Sequence, residues 1–141
     1  MAGTAQAEAV DQLQKALTPG LREVGFRRKG RTYNRTTSDG LVQVINIQMG
    51  AYDPPGTVHA VPGLRENFYG KFTVNLGVYV PEVARYVDWR AETKKYIQEY
   101  DCCIRNRLGM VSPEGRDLWW RAPRRSPKPG HSWSLQNRPM S

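Results

Sequence analysis

The segment Lys71 to Glu82, KFTVNLGVYVPE, alternates apolar and polar side chains with a period of two. Because alternate side chains of a strand share one face, this pattern predicts a strand with one buried face. The predicted core positions are Phe72, Val74, Leu76, Val78 and Val80. The opposite face carries Asn75 and Gly77, two residue types that strands disfavour. That face is therefore a ligand site, a surface beneath a helix, or an ordinary solvent-facing surface.

Three other segments predict further strands. RTYNR and LVQVINIQM flank the turn-rich sequence TTSDG, which is typical of a β-hairpin. The segment CCIRNRLGMV alternates again, with Cys102 and Ile104 on the core side and Arg105 and Arg107 opposite. The predicted strands are residues 31–36, 41–49, 71–80 and 102–111.

A helical region precedes the first strand. Residues 5–17 repeat apolar side chains at spacings of three and four, which indicates an amphipathic helix. Thr18 and Pro19 suit the cap and first turn of a second, short helix. Gly25 suits the C-terminal end of that helix, because glycine is the usual residue just beyond a helix end.

Residues 81–99 predict a middle helix, since Pro81 suits a first turn and apolar side chains follow at helical spacing. We expect an α+β fold: a mainly antiparallel four-stranded sheet with the N-terminal and middle helices packed on one face. The length of 141 residues suits a single domain, at residues 1–122. Pro, Arg, Ser, Lys and Gly dominate residues 123–141, which predict a mobile basic tail.

Residues 50–70 contain three prolines and four glycines without a regular period, so they predict a long loop. No run of twenty apolar residues is present, and the amino end lacks the basic-then-apolar pattern of a signal peptide. We therefore expect a cytoplasmic protein that makes no contact with a membrane. The sequence does not indicate its oligomeric state.

The net charge of +8 is concentrated in a few places. Residues 26–35, FRRKGRTYNR, hold five cations and no anion. A basic surface attracts an acidic protein, a nucleic acid or a small anionic ligand, although many such surfaces are merely solvated. The candidate anion or partner surface consists of Arg27, Arg28, Lys29 and Arg31.

The polar face of the predicted sheet is a second candidate site. Guanidinium groups bind carboxylates and phosphates bidentately, and neighbouring amides can fix the orientation of a ligand. A solvent-facing sheet, however, also shows polar residues on one face. The candidate ligand-binding residues are Asn46, Gln48, Asn75, Tyr79, Arg105, Arg107 and Trp119, with Trp120 and Tyr33 as further walls.

Catalytic patterns are sparse. The adjacent Cys102 and Cys103 match no zinc spacing, and the two histidines fall in the predicted loop and tail. We assign no catalytic residue, metal or cofactor, and the residues favour a non-catalytic binding protein that holds an anionic partner. The alternative is a small enzyme with an arginine-lined pocket for an anionic small molecule, in which Tyr79, Tyr33 or Cys103 transfers a proton or acts as nucleophile.

Five motifs occur in a distinctive order: VGFRRKGRTYNR, GLVQVINIQM, KFTVNLGVYVPE, CCIRNRLGM and DLWW. Their order and spacing resemble the bacterial domain-of-unknown-function family DUF4304, over residues 8–121. The resemblance implies a shared fold. It implies no activity and no catalytic residues, because the family has no established activity.

Overall fold

The computed structural model describes residues 5–50, 68, 70–87 and 96–121. Within these ranges the fold is α+β, with six strands in one antiparallel sheet. The elements are α1 (Ala5–Glu23), β1 (Arg27–Lys29), β2 (Thr32–Thr36), β3 (Val42–Met49), β4 (Lys71–Tyr79), α2 (Pro81–Val87), a 3₁₀ turn (Glu99–Asp101), β5 (Ile104–Arg107), α3 (Leu108–Val111) and β6 (Trp120–Arg121). The predicted long loop and basic tail fall almost entirely outside the described residues.

The strands follow one another across the sheet in the order β1-β2-β3-β4-β5, and β6 pairs with β4 beside β5. The predicted α+β class and antiparallel sheet are confirmed, but the sheet has six strands instead of four. The short β1 and β6 were missed because neither contains apolar alternation: β1 is Arg-Arg-Lys and fully exposed, and β6 has two residues. β1 turns back into β2 at Gly30, where φ is 61°.

The N-terminal helix is continuous from Ala5 to Glu23, so the predicted break before Pro19 is wrong. Thr18 does not cap a second helix; its hydroxyl donates to the carbonyl of Gln14 at 2.6 Å, one turn back. The predicted role of Gly25 is correct. It adopts φ 101° just beyond the helix, and the N–H of Phe26 donates to the carbonyl of Leu21 at 2.9 Å.

α1 packs on one side of the sheet, which we call the helix face. Val10 of α1 joins a buried cluster with Phe26, Tyr33 and Ile47. The Tyr33 ring is completely buried there, and its hydroxyl lies 2.9 Å from the hydroxyl of Thr18. Tyr33 is therefore a core residue beneath α1, and its predicted place in a pocket wall is wrong.

The predicted middle helix ends earlier than expected. α2 buries none of its residues, and residues 96–98 are not helical. The cause is Asn34, whose side chain accepts from the N–H of Ile97 and donates to its carbonyl, both at 2.8 Å. These bonds occupy backbone groups that a helix would need. Residues 97–102, here called the crossing segment, instead run over the side of the sheet opposite α1.

The side opposite α1, which we call the amide face, is also partly core. Ile97 and Cys102 of the crossing segment pack on Val44 to form a second buried cluster. On β4 the burial is the reverse of that predicted: Thr73, Asn75 and Gly77 are buried on this face. The apolar positions Phe72, Val74, Leu76 and Val78 are only half-buried. The alternation was predicted correctly, but the face predicted to be the core is the less buried one.

β5 is shorter than predicted. The strand ends at Arg107, and residues 108–111 form the helical turn α3 instead of continuing the alternation. Gly109 sits in this turn against residues 116–118, and its carbonyl accepts from the N–H of Arg116 at 3.2 Å. Ile104, predicted to face the core, is 61% exposed. None of the described helices is long and apolar enough to span a bilayer.

Candidate functional site

A chain of side-chain hydrogen bonds crosses the amide face. Asn75 donates to the side-chain oxygens of Asn46 at 3.1 Å and of Gln48 at 2.9 Å. Asn46 in turn donates to the Thr32 hydroxyl, and that hydroxyl donates to Gln98 of the crossing segment, each at 3.0 Å. Both N–H groups of the Asn75 amide are thus used inside the protein. These amides form a pre-ordered polar floor.

Glycine at position 77 is explained by close packing within the chain and not by a ligand. A Cβ at this position would lie 2.6 Å from the Cys102 Sγ and 2.9 Å from its Cβ. Real side chains do not approach so closely, so glycine is required for the crossing segment to lie on β4. The amide face is therefore covered at Gly77, as one of the predicted alternatives required, but by the non-helical end of the crossing segment instead of a helix.

Two arginines stand beside this floor. Register pairs Asn75 with Arg107 and Gly77 with Arg105, which places both guanidinium groups on the amide face as predicted. Arg105 lies 3.7 Å from the Glu99 carboxylate, and Arg107 forms an ion pair with Asp117. The Arg105 side chain is 52% exposed and that of Arg107 is 35% exposed, so both can be reached from solvent.

An open depression of about 610 Å³ lies over this end of the amide face. Four predicted residues come together in it: Gln48, Asn75, Arg105 and Arg107. Two carboxylates that were not predicted, Glu99 and Asp117, also line it. No periodicity marks them, because Glu99 lies in a 3₁₀ turn and Asp117 in an irregular segment rather than on a strand.

The remaining predicted ligand residues lie elsewhere. Asn46 belongs to the hydrogen-bonded floor but does not line the depression. Trp119 is buried, with the Phe68 ring 4.6 Å away and the Arg107 guanidinium 5.2 Å from its centre. Trp119 therefore contacts Arg107 from the protein interior and exposes little surface to a ligand. Tyr79 lies beyond the crossing segment, against the Val44 cluster.

The four cations predicted as one anion-binding surface do not share a face. Arg31 is paired with Asp11 of α1 at 2.7 Å. Arg28 aligns with Tyr33 and lies on the helix face, whereas Arg27 and Lys29 alternate to the amide face. Charges on a short edge strand also discourage pairing with another strand, so part of this charge has a structural use.

The cysteines differ in chemistry. Burial, followed by the nearby carboxylates of Glu99 and Asp101, raises the pKa of the Cys102 thiol to about 11. A protonated thiol is a poor nucleophile, so Cys102 is suited to packing. Cys103 is exposed, and its sulfur lies 3.6 Å from the carbonyl of Val78, outside the residues lining the depression. The described residues contain no cluster of three or more metal-binding side chains.

These features define a small α+β domain whose antiparallel sheet presents a polar, arginine-flanked depression. The family model for a domain of unknown function, DUF4304, matches residues 17–134. The chain therefore belongs to the DUF4304 family, and the match includes part of the predicted tail. No curated protein and no solved structure matches the chain.

Proposed function

We propose that the protein is a non-catalytic binding domain that holds carboxylates of an acidic protein partner in the depression between Arg105 and Arg107. The observation that carries this proposal is the placement of two solvent-accessible guanidinium groups on one face of β5, two residues apart. Side chains at i and i+2 of a strand lie about 7 Å apart, so one partner segment can reach both.

The floor of the depression supports recognition without rearrangement. Asn75 is held by Asn46 and Gln48, and Arg107 rests on the Trp119 ring. Groups fixed before binding lose little conformational entropy when a partner arrives, which favours affinity. The site is thus suited to holding a group in place.

The carboxylates already beside the two arginines indicate which chemical group the arginines bind. Glu99 and Asp117 already occupy positions beside Arg105 and Arg107. Both pairs are partly exposed and therefore screened by solvent. Solvent-exposed pairs contribute only about 0–1 kcal/mol, so a partner with several carboxylates can replace them. Single-stranded nucleic acid is less suited, because its bases stack on accessible aromatic rings and none of the described residues that line the depression is aromatic.

The basic hairpin contributes in another way. β1 and β5 stand at opposite edges, four strand spacings or about 19 Å apart. A small ligand in the depression cannot touch Arg27 or Lys29, but a macromolecule can span both. The hairpin cations then attract an acidic partner through a diffuse, salt-screened field.

The test is a titration with poly-glutamate at two salt concentrations, alongside inorganic phosphate and single- and double-stranded oligonucleotides. Replacing Arg105 and Arg107 together by Gln should weaken poly-glutamate binding about tenfold or more, since two charge-assisted contacts are lost. Replacing Arg27, Arg28 and Lys29 by Gln should mainly flatten the salt dependence.

Arg116→Gln is the matched control, because Arg116 is an exposed arginine paired with Glu114, outside the residues lining the depression. It should bind poly-glutamate like the unaltered protein. Equal binding by the double variant would refute the role of the arginine pair. Tighter binding of either oligonucleotide than of poly-glutamate would refute the acidic protein partner.

A further inference from the structure

A second concavity, of about 560 Å³, lies on the amide face on the other side of the crossing segment. Its volume is in the range typical of small-ligand pockets. The lining includes Arg27, Thr36, Val42, Tyr79, Tyr96 and Ile97. We infer that this concavity binds a small carboxylate with an apolar or aromatic body, with Arg27 holding the carboxylate.

The strand register explains why these side chains converge. Thr36 pairs with Val42, and Val42 pairs with Tyr79, so the three side chains lie on one face across β2, β3 and β4. Arg27 pairs with Asn34 and lies on the same face at the β1 edge. The floor is therefore apolar at its centre, with one guanidinium group at its rim.

The wall on the side of the crossing segment is fixed. The Tyr96 hydroxyl donates to the carbonyl of Arg27 at 3.1 Å and also to that of Thr32. Asn34 holds the backbone of Ile97 through two hydrogen bonds of 2.8 Å. The polar atoms of Asn34 and Tyr96 are thus engaged within the protein and contribute shape more than recognition.

The chemistry of the ligand follows from the other lining groups: one guanidinium, a hydroxyl and an apolar surface. Among the described residues, no carboxylate lies within ion-pair distance of Arg27, in contrast to Arg105 and Arg107. The Thr36 hydroxyl adds one further hydrogen-bonding group. Val42, Tyr79 and Ile97 offer an apolar surface for a ring or chain. One cation beside an apolar floor fits an amphipathic monoanion better than a phosphate or a sugar.

Benzoate is the probe, followed by amide chemical shifts in two-dimensional NMR of the full chain. Saturable shifts should be confined to residues around the concavity, including Thr36, Val42 and Tyr79. Benzyl alcohol, which has the ring without the charge, should bind about tenfold more weakly. Inorganic phosphate, which has the charge without the ring, should leave these amides unshifted.

Arg27→Gln should weaken benzoate binding about tenfold or more, because it removes the charge-assisted contact. Arg28→Gln is the matched control: it alters the neighbouring residue of β1, which lies on the opposite face, and should bind benzoate unchanged. The inference is overturned if millimolar benzoate shifts no amide of the concavity. Equal losses in the two variants, or equal binding of benzyl alcohol, would also overturn it.

Discussion

Gly77→Ala tests the arrangement on which both concavities depend, the close contact between β4 and the crossing segment. The added methyl would lie 2.6 Å from the Cys102 Sγ and 2.9 Å from the Cys102 Cβ. Rotating the thiol removes the first clash but not the second, because a Cβ moves only with its backbone. The crossing segment must therefore shift away from the sheet.

The cost follows from two opposing terms. Overpacking in a close-packed region costs about 1–3 kcal/mol. Replacing glycine returns about 0.4–1 kcal/mol by restricting the unfolded chain. The central values of the two terms leave a net loss of about 1.3 kcal/mol. With a urea m-value of about 2 kcal/mol/M, the denaturation midpoint should fall by about 0.6 M.

Two further variants make the urea measurement decisive. Gly20→Ala is the control, because a Cβ added at Gly20 of α1 meets no atom within 4 Å. This substitution should stabilise the protein by about 0.5–1 kcal/mol. Cys102→Gly removes both clashing atoms, so adding Gly77→Ala in that background should cause no loss. An unchanged or raised midpoint for Gly77→Ala alone would refute the close packing.

Four other expectations concern stability and thiol chemistry. Asn75→Ala should lower the urea midpoint by the equivalent of about 1–3 kcal/mol, since two acceptors lose their donor; an unchanged midpoint would show that Asn75 is not structural. Gly50→Ala should also lower the midpoint, because a Cβ there overlaps the backbone carbonyl of Phe68; a midpoint equal to that of the unaltered protein would contradict this. In the native protein at pH 8, iodoacetamide should label Cys103 and spare Cys102, as read by mass spectrometry; equal labelling would be the contrary result. The stability that Cys102 adds relative to Cys102→Ala should fall as pH rises from 9.0 towards about 11, because the unfolded thiol ionises first.

The sequence predicted those parts of the fold in which local pattern and tertiary structure agree. The hairpin of β2 and β3, the strand β4 and the helix end at Gly25 were all correctly placed. The register of β3, β4 and β5 places Gln48, Asn75, Arg105 and Arg107 on one face, as the alternation predicted. Period-two patterns determine which side chains share a face, and this part of the site followed from them.

The same patterns could not show which face is covered. Burial of Thr73 and Asn75 depends on segments distant in sequence: the Leu118 carbonyl accepts from the Thr73 hydroxyl at 2.8 Å, and Cys102 lies on Gly77. The early end of the middle helix likewise depends on Asn34, 63 residues away from Ile97. Contacts of this kind leave no periodic signal, so the role of the amide face was undetermined from sequence.

Because the crossing segment separates the two concavities, its position couples them. Glu99 lines the depression beside Arg105, while Ile97 lines the concavity beside Arg27. Both residues belong to the segment that Cys102 holds against Gly77. A shift forced by Gly77→Ala should therefore change the binding of both ligands, although Gly77 itself lines neither site. Benzoate should bind more weakly, because its wall moves, whereas poly-glutamate should bind more tightly, because Glu99 competes less for Arg105. If one ligand were affected and the other were not, the segment would move in parts and the two sites would be independent.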